Sequence, residues 1–222
     1  MCSHYQGLRE PSHYQRYFGV TPPVDGAKLD LWPGYLGAFI RNHPIADPNE
    51  DALPVLEAQN GLFGLVPHWA NDTRISHSTY NCRSETAAEK PSFRDAWQRN
   101  QRCIIPADSI YEPDWRSGKA VATRIEHVSG EPLGIAGLWS RWKTAKGDWL
   151  YSYTMLTINA QTHALMNQFH KPADEKRMVV ILPKAIYQRW LTGDNDLRDF
   201  LQPLDALQLR VAAPESVMGS LL

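Results

Sequence analysis

Apolar runs separated by turn-forming residues divide most of the chain into strand-like segments. Leu53 to Ala58 and Leu62 to Val66 flank Gln59-Asn60-Gly61. Asn-Gly supplies the positive φ angles of a tight type I′ turn, so this stretch predicts a β-hairpin. Further strands are predicted at Arg102 to Pro106, Val121 to Val128, Leu133 to Trp142 and Trp149 to Ile158, with Ser129-Gly130 and Lys146-Gly147 as turns. A helix is predicted from near Ser92 to about Gln101, where Ser92 and Asp95 can satisfy free N–H groups of the first turn. Two more are predicted at Gln161 to Phe169 and at Pro183 to Leu191, the latter with proline at its first position. The central strands follow one another through short turns rather than helical crossovers. The expected class is therefore α+β, a mainly antiparallel, barrel-like sheet with peripheral helices. No repeat or Ser/Gly linker divides the chain, and 222 residues suit one core, so residues 1–222 read as a single domain.

Composition adds exclusions. The chain is 43% hydrophobic and 21% charged, ordinary for a globular protein, and its 16 Pro and 14 Gly favour turns over long helices. Met1-Cys2-Ser3-His4-Tyr5-Gln6 lacks the basic and apolar regions of a signal peptide, and no apolar run approaches the ~20 residues of a membrane span, so a cytoplasmic location is expected. Cys2, Cys82 and Cys103 form neither a CxxC pair nor an even set, which predicts reduced thiols, with Cys82 and Cys103 as small core residues. A formal net charge of -1 argues against coating nucleic acid through a global basic field. Any nucleic-acid site must be a local groove. Eight Trp and nine Tyr include rings enough to line one, although most of them belong to the core.

Cys2 carries the most distinctive chemistry. Removal of Met1 would leave a free α-amine and a thiol on adjacent carbons. The amine can form an imine with an aldehyde, and the sulfur can close on the imine carbon to give a thiazolidine. An α-amine, with a reference pKa of about 7.7–8.0, is partly neutral at pH 7, unlike lysine at about 10.4. Other polar residues admit ordinary readings when taken singly: Asn81 as a turn residue, Glu112 as a strand-end acid, His170 as a helix cap, and Arg83 and Arg177 as ion-pair partners.

Taken together they form a pattern. Gly64-Leu65-Val66-Pro67-His68-Trp69 is followed by Asn81-Cys82-Arg83-Ser84-Glu85-Thr86 and by Cys103-Ile104-Ile105-Pro106-Ala107-Asp108, which leads into Ile110-Tyr111-Glu112. Thr157-Ile158-Asn159-Ala160 then precedes Phe169-His170-Lys171-Pro172 and Arg177-Met178-Val179-Val180-Ile181-Leu182. In content and order these blocks resemble the SOS response-associated peptidase family, from Cys2 to Leu182. The resemblance implies covalent capture of abasic sites in single-stranded DNA. In that scheme Cys2 is the nucleophile, Asn81 holds the N-terminal residue and the linkage, Glu112 is the general acid/base, and His170 assists proton transfer at the sugar hydroxyl. Arg83 and Arg177 meet phosphates, Trp69 stacks near the lesion, and His4 and Thr157 complete the DNA contacts. The resemblance implies no metal and no organic cofactor, and a monomer is expected.

The sequence also departs from the family pattern. Ser3-His4 stands where Gly-Arg is usual, which replaces a constant charge by a titratable ring. Six residues, Lys171 to Lys176, separate His170 from Arg177, and this makes Lys171 and Lys176 further candidates for phosphate contact. Pro113 and Ala70 stand where tryptophans are common. Three other readings use overlapping residues: an N-terminal-nucleophile amidohydrolase acting on a small amide, a metal protein using His4, His13, His163 and His170, and a non-catalytic single-strand binding module.

Overall fold

The computed structural model describes residues 2–24, 27–43, 55–193 and 200–213. Its longest strands are the antiparallel pair β9 (Leu133–Lys143) and β10 (Trp149–Asn159), in register from Trp149 opposite Lys143 to Met155 opposite Gly137. The turn between them uses Gly147 at φ 92°, a left-handed conformation that favours glycine. β6 (Arg102–Ala107) pairs with β9, β3 (Leu36–Asn42) pairs with β6 and with β4 (Leu56–Phe63), and β4 returns in parallel to β10 at Leu62 opposite Ser152. The five strands close into a barrel. Phe39, Phe63 and Tyr153 pack ring on ring within it, and all three are fully buried. The fold is α+β with a mainly antiparallel sheet, as the strand spacing predicts.

Beyond its barrel portion, β10 gains two short partners. β5 (Asn81–Arg83) runs parallel to it and β11 (Arg177–Val179) antiparallel, so that Thr157 lies opposite both Arg83 and Val179. A second sheet has the order β12 (Leu209–Val211), β8 (Val121–His127), β7 (Ser109–Asp114), β1 (His4–Gln6), β2 (Asp30–Leu31). Only Asp108 separates β6 from β7, so the chain passes directly from the barrel into this sheet. Among the described residues no helix is long and apolar enough to cross a membrane.

Several local expectations need correction. The predicted hairpin does not form: β4 runs straight through Asn60-Gly61, and Leu53 and Pro54 lie outside the described residues. Gly61 serves close packing instead, since a Cβ there would stand 2.7 Å from Cε1 of Phe39. The Ser92 helix shortens to α1 (Arg94–Gln98) with no side-chain cap, and the Asp95 carboxylate turns to His68 Nδ1 at 3.0 Å. Gln161 to Phe169 yields only a single 3₁₀ turn, Met166–Gln168, because His163 Nδ1 accepts the N–H groups of Leu165 and Met166 while Asn159 Oδ1 accepts that of Gln161. Pro183 stands just before a 3₁₀ turn, Lys184–Ile186, which leads into α2 (Tyr187–Thr192).

The packing role of Gly61 is testable. Gly61→Ala should cost about 1–3 kcal/mol of unfolding free energy by overpacking the barrel. The cost should shrink in a Phe39→Leu background, where the ring that meets the new methyl is gone. Equal costs in both backgrounds, measured by denaturant unfolding, would contradict it.

Candidate active site

Burial of the first strand positions the chemistry. β1 lies between β2 and β7, with Tyr5 opposite Leu31 on one side and Ile110 on the other. The Tyr5 ring is fully buried, and its hydroxyl shares a 2.5 Å hydrogen bond with that of Tyr153 in the barrel. Cys2, three positions earlier, is only 1% exposed. Its carbonyl accepts a hydrogen bond from Asn81 Nδ2 at 2.7 Å, and its thiol donates to the His4 carbonyl at 3.3 Å. Asn81 is fixed in turn by pairing with Met155 of β10. Its Oδ1 is buried and, among the described residues, has no hydrogen-bond partner. Burial pushes the thiol pKa well above its usual value, and the charge of Glu112 raises it further. Cys2 therefore keeps its proton at neutral pH in this environment.

Glu112, on β7, is also fully buried, and desolvation pushes its carboxyl pKa up to about 7. His170 Nε2 lies 3.4 Å from Glu112 Oε2 and 3.0 Å from the carbonyl of Arg177. A carbonyl only accepts, so Nε2 carries the proton. Burial lowers the imidazole pKa, and the ring is neutral near pH 7. His170 adopts φ 65°, a left-handed conformation costly for a residue with a Cβ. Two supports hold it there. Its N–H donates to Pro113 at 2.9 Å, and the buried Lys176 Nζ donates to the carbonyls of Phe169, His170 and Lys171 at 2.9, 3.2 and 2.8 Å. Lys176 is thus a brace for the His170 loop. Lys171 is exposed, with its ammonium 5.0 Å from the centre of the Trp115 ring.

The residues expected at phosphates form a network beside this cluster. Arg177 is 2% exposed, and its guanidinium meets Glu175 at 2.7 Å, Glu85 at 2.8 Å, Thr157 Oγ1 at 3.2 Å and the Thr157 carbonyl at 2.8 Å. Arg83 is exposed and reaches the other oxygen of Glu175 at 2.7 Å. Thr157 is fully buried beneath both arginines. His4 lies between Trp32 and Tyr111, with ring centres 4.1 and 4.0 Å away, and its Nε2 is 2.5 Å from Asp30 Oδ1. Trp69 stands apart on the loop after Val66, 48% exposed, with Nε1 3.4 Å from the Pro91 carbonyl.

The fold thus gathers Cys2, Asn81, Glu112 and His170 at one place, with Arg83, Thr157 and Arg177 alongside. Sequence reasoning missed Trp32, Asp30, Glu85, Glu175 and the bracing role of Lys176. Glu85 sits inside the Asn81–Thr86 block, a usable signal, whereas nothing in the pattern marks the other four. Among the described residues no cluster of His, Cys, Asp and Glu is suited to hold a metal ion.

Comparison with known proteins places this arrangement. The profile of the family described as SOS response associated peptidase (SRAP) matches residues 1–219. An abasic site processing protein of Bacillus subtilis, YoqW, is 37% identical over 163 residues, covering 71% of this chain and 69% of its own. The abasic site processing protein HMCES of Xenopus tropicalis is 28% identical over 217 residues, covering 83% of this chain and 61% of its own. A crystal structure of a Bordetella bronchiseptica protein superposes with a TM-score of 0.85 at 46% identity, covering 96% of this chain and 100% of that one. A Bacteroides thetaiotaomicron protein, at 20% identity and TM-score 0.78 over 95% of this chain and 90% of its own, shares the fold. The chain belongs to the SOS response-associated peptidase family.

Proposed function

We propose that the chain processes abasic sites in single-stranded DNA by covalent capture through Cys2, after Met1 has been removed by the chain itself or by a methionine aminopeptidase. One observation supports this reading above the others: Cys2 is held by its carbonyl on Asn81, close enough to Glu112 for the carboxylate charge to raise the thiol pKa, and burial gives Glu112 a pKa of about 7. The names of the relatives, abasic site processing proteins, agree with it.

The chemistry balances without any cofactor. The α-amine adds to the aldehyde of the ring-opened sugar, and the carbinolamine loses water to give an imine. The sulfur then attacks the imine carbon while the thiol proton passes to the nitrogen, closing a thiazolidine. The net change is release of one water. A carboxyl with pKa near 7 serves both directions of proton transfer, accepting the proton of the ammonium or thiol and donating one to the departing hydroxyl. The thiol is too basic here to ionise alone, so a neighbouring base is needed. The neutral His170, held through its Nε2 proton on the Arg177 carbonyl, offers Nδ1 as an acceptor to the sugar hydroxyl. Asn81 keeps the nucleophile in place. Arg83 is an exposed cation next to the cluster and faces a phosphate, with Arg177 setting its position through their shared Glu175. Thr157 fixes the Arg177 guanidinium. His4 stiffens an aromatic stack whose outer ring, Trp32, is exposed, and Trp69 offers a further stacking face.

Inserting Ala between Met1 and Cys2 keeps a thiol but leaves its nitrogen an amide, so the durable adduct with abasic single-stranded DNA should disappear while circular dichroism and melting stay near normal. A stable adduct at the ordinary rate, from protein whose first residues are confirmed by intact mass, would contradict the mechanism.

Glu112→Gln should slow adduct formation by about 10²–10⁴-fold and remove the rate inflection near pH 7. The same substitution has a stability signature. A folded-state pKa raised from 4.5 to about 7 means that wild type is not penalised below pH 4.5 and loses stability as pH rises through 7, by up to about 3 kcal/mol. The variant should lack that loss. Parallel pH–stability curves for the two proteins, or an unchanged rate profile, would remove Glu112 from its assigned place.

A further inference from the structure

The cations beside Cys2 are largely compensated, since Arg83 and Arg177 share Glu175 and Arg177 also meets Glu85. Attraction for a polyanion beyond the single contact at Arg83 draws on other groups, and one mouth of the barrel supplies them. A cavity of about 370 Å³ opens there, walled by the β9–β10 hairpin on one side and by the Pro67-His68 loop and α1 on the other. Its floor is Arg41, buried with its guanidinium 4.2 and 4.6 Å from the ring centres of Trp139 and Tyr151, and satisfied by Glu57 at 2.7 Å. At the rim Arg141 lies 4.6 Å from the centre of the Trp149 ring, and that tryptophan is 51% exposed. Arg99, just beyond α1, completes the rim. Both rim arginines are exposed, and among the described residues neither meets a carboxylate. The acid in the lining, Asp95, already faces His68.

We propose that this barrel mouth binds a nucleotide unit of the DNA strand outside the lesion pocket, its base against Trp149 and its phosphate facing Arg99 and Arg141. The proposal rests on the reading of the chain as a DNA-processing protein and extends it to a second contact region. An exposed aromatic face beside two uncompensated guanidiniums matches the two halves of a nucleotide, a flat base and an anion. The region is also continuous with Trp69. That residue follows His68 on the cavity wall and reaches Pro91, next to Ser92 of the same wall, while Trp142 Nε1 holds the loop through the Ala70 carbonyl at 2.8 Å. From Tyr151 at the mouth to Thr157 near the active site is six residues of extended β10, about 20 Å. At 3.4 Å per nucleotide a stacked strand spans that distance with roughly six nucleotides.

The test separates non-covalent binding from capture. Binding of an undamaged oligonucleotide of about fifteen nucleotides is followed by fluorescence anisotropy over a salt series for wild type, Arg99→Ala/Arg141→Ala and Trp149→Ala. Adduct formation is measured separately on a trinucleotide with a central abasic site, too short to reach the barrel mouth. The double variant should bind the long strand about ten-fold or more weakly at low salt, with the slope of log K against log salt reduced by about 1.4, which is 0.7 for each cation lost. Trp149→Ala should weaken binding roughly five-fold to a hundred-fold. Both variants should capture the trinucleotide as wild type does. Unchanged affinity and slope would overturn the proposal. So would thymidine monophosphate that saturates the cavity, depends on Arg99 and Arg141, and leaves long-strand affinity unaltered, an outcome that assigns the cavity to a free nucleotide. Failure of wild type to capture the trinucleotide would count against Cys2 chemistry, and the binding series would still decide the barrel mouth.

Discussion

The covalent capture proposed for this protein depends on holding the start of the chain in place, where chains ordinarily fray. β1 is only three residues long, and its ladder alone could not fix Cys2. What fixes it is the Tyr5 ring, driven between the two sheets and tied to Tyr153 by a hydroxyl pair in the dry interior. The Asn81 amide then takes the Cys2 carbonyl, and a normally mobile end becomes as well defined as a core residue. Capture by an N-terminal residue needs this pre-organisation, because the amine and sulfur must reach one carbon in sequence.

The same burial sets the electrostatics. Desolvation raises the Cys2 thiol and the Glu112 carboxyl and lowers the His170 imidazole, so near neutral pH the cluster holds little net charge and its protons are free to move. Charge is concentrated instead in the adjoining pairs of Arg83 and Arg177 with Glu85 and Glu175. The brace from Lys176 shows how the longer loop after His170 is accommodated. The extra residues bring an ammonium back under three successive carbonyls and hold the histidine in a backbone conformation it would not keep unaided.

Much of this was legible in the sequence. Four of the five strands between Arg102 and Asn159 emerge because each alternates or runs apolar, while β7, which carries Glu112, has no such pattern; four chemical residues, Cys2, Asn81, Glu112 and His170, stand in ordered blocks that the fold draws together. Other features depend on partners distant in the chain. Asn60-Gly61 reads locally as a turn, and only the Phe39 ring across the barrel explains why a glycine sits within a strand. The periodicity of Gln161 to Phe169 suggests a helix, but side-chain acceptors from His163 and Asn159 divert its backbone donors. Arg177 reads as a phosphate ligand by motif, and although Glu85 lies in a motif block, the pairing of Arg177 with Glu85 and Glu175 becomes visible only when β5 and β11 flank β10.

The central claim, closure of one ring by the amine and sulfur of the same residue, is tested most directly by the mass and location of the adduct. Intact mass spectrometry of protein reacted with a defined abasic oligonucleotide, followed by sequencing of the N-terminal peptide, reports both. The account predicts a mass equal to the protein without Met1 plus the oligonucleotide minus one water, carried on Cys2 and unchanged by borohydride. An adduct that retains Met1, maps to a lysine, or gains two hydrogens on borohydride treatment as an open imine would contradict it.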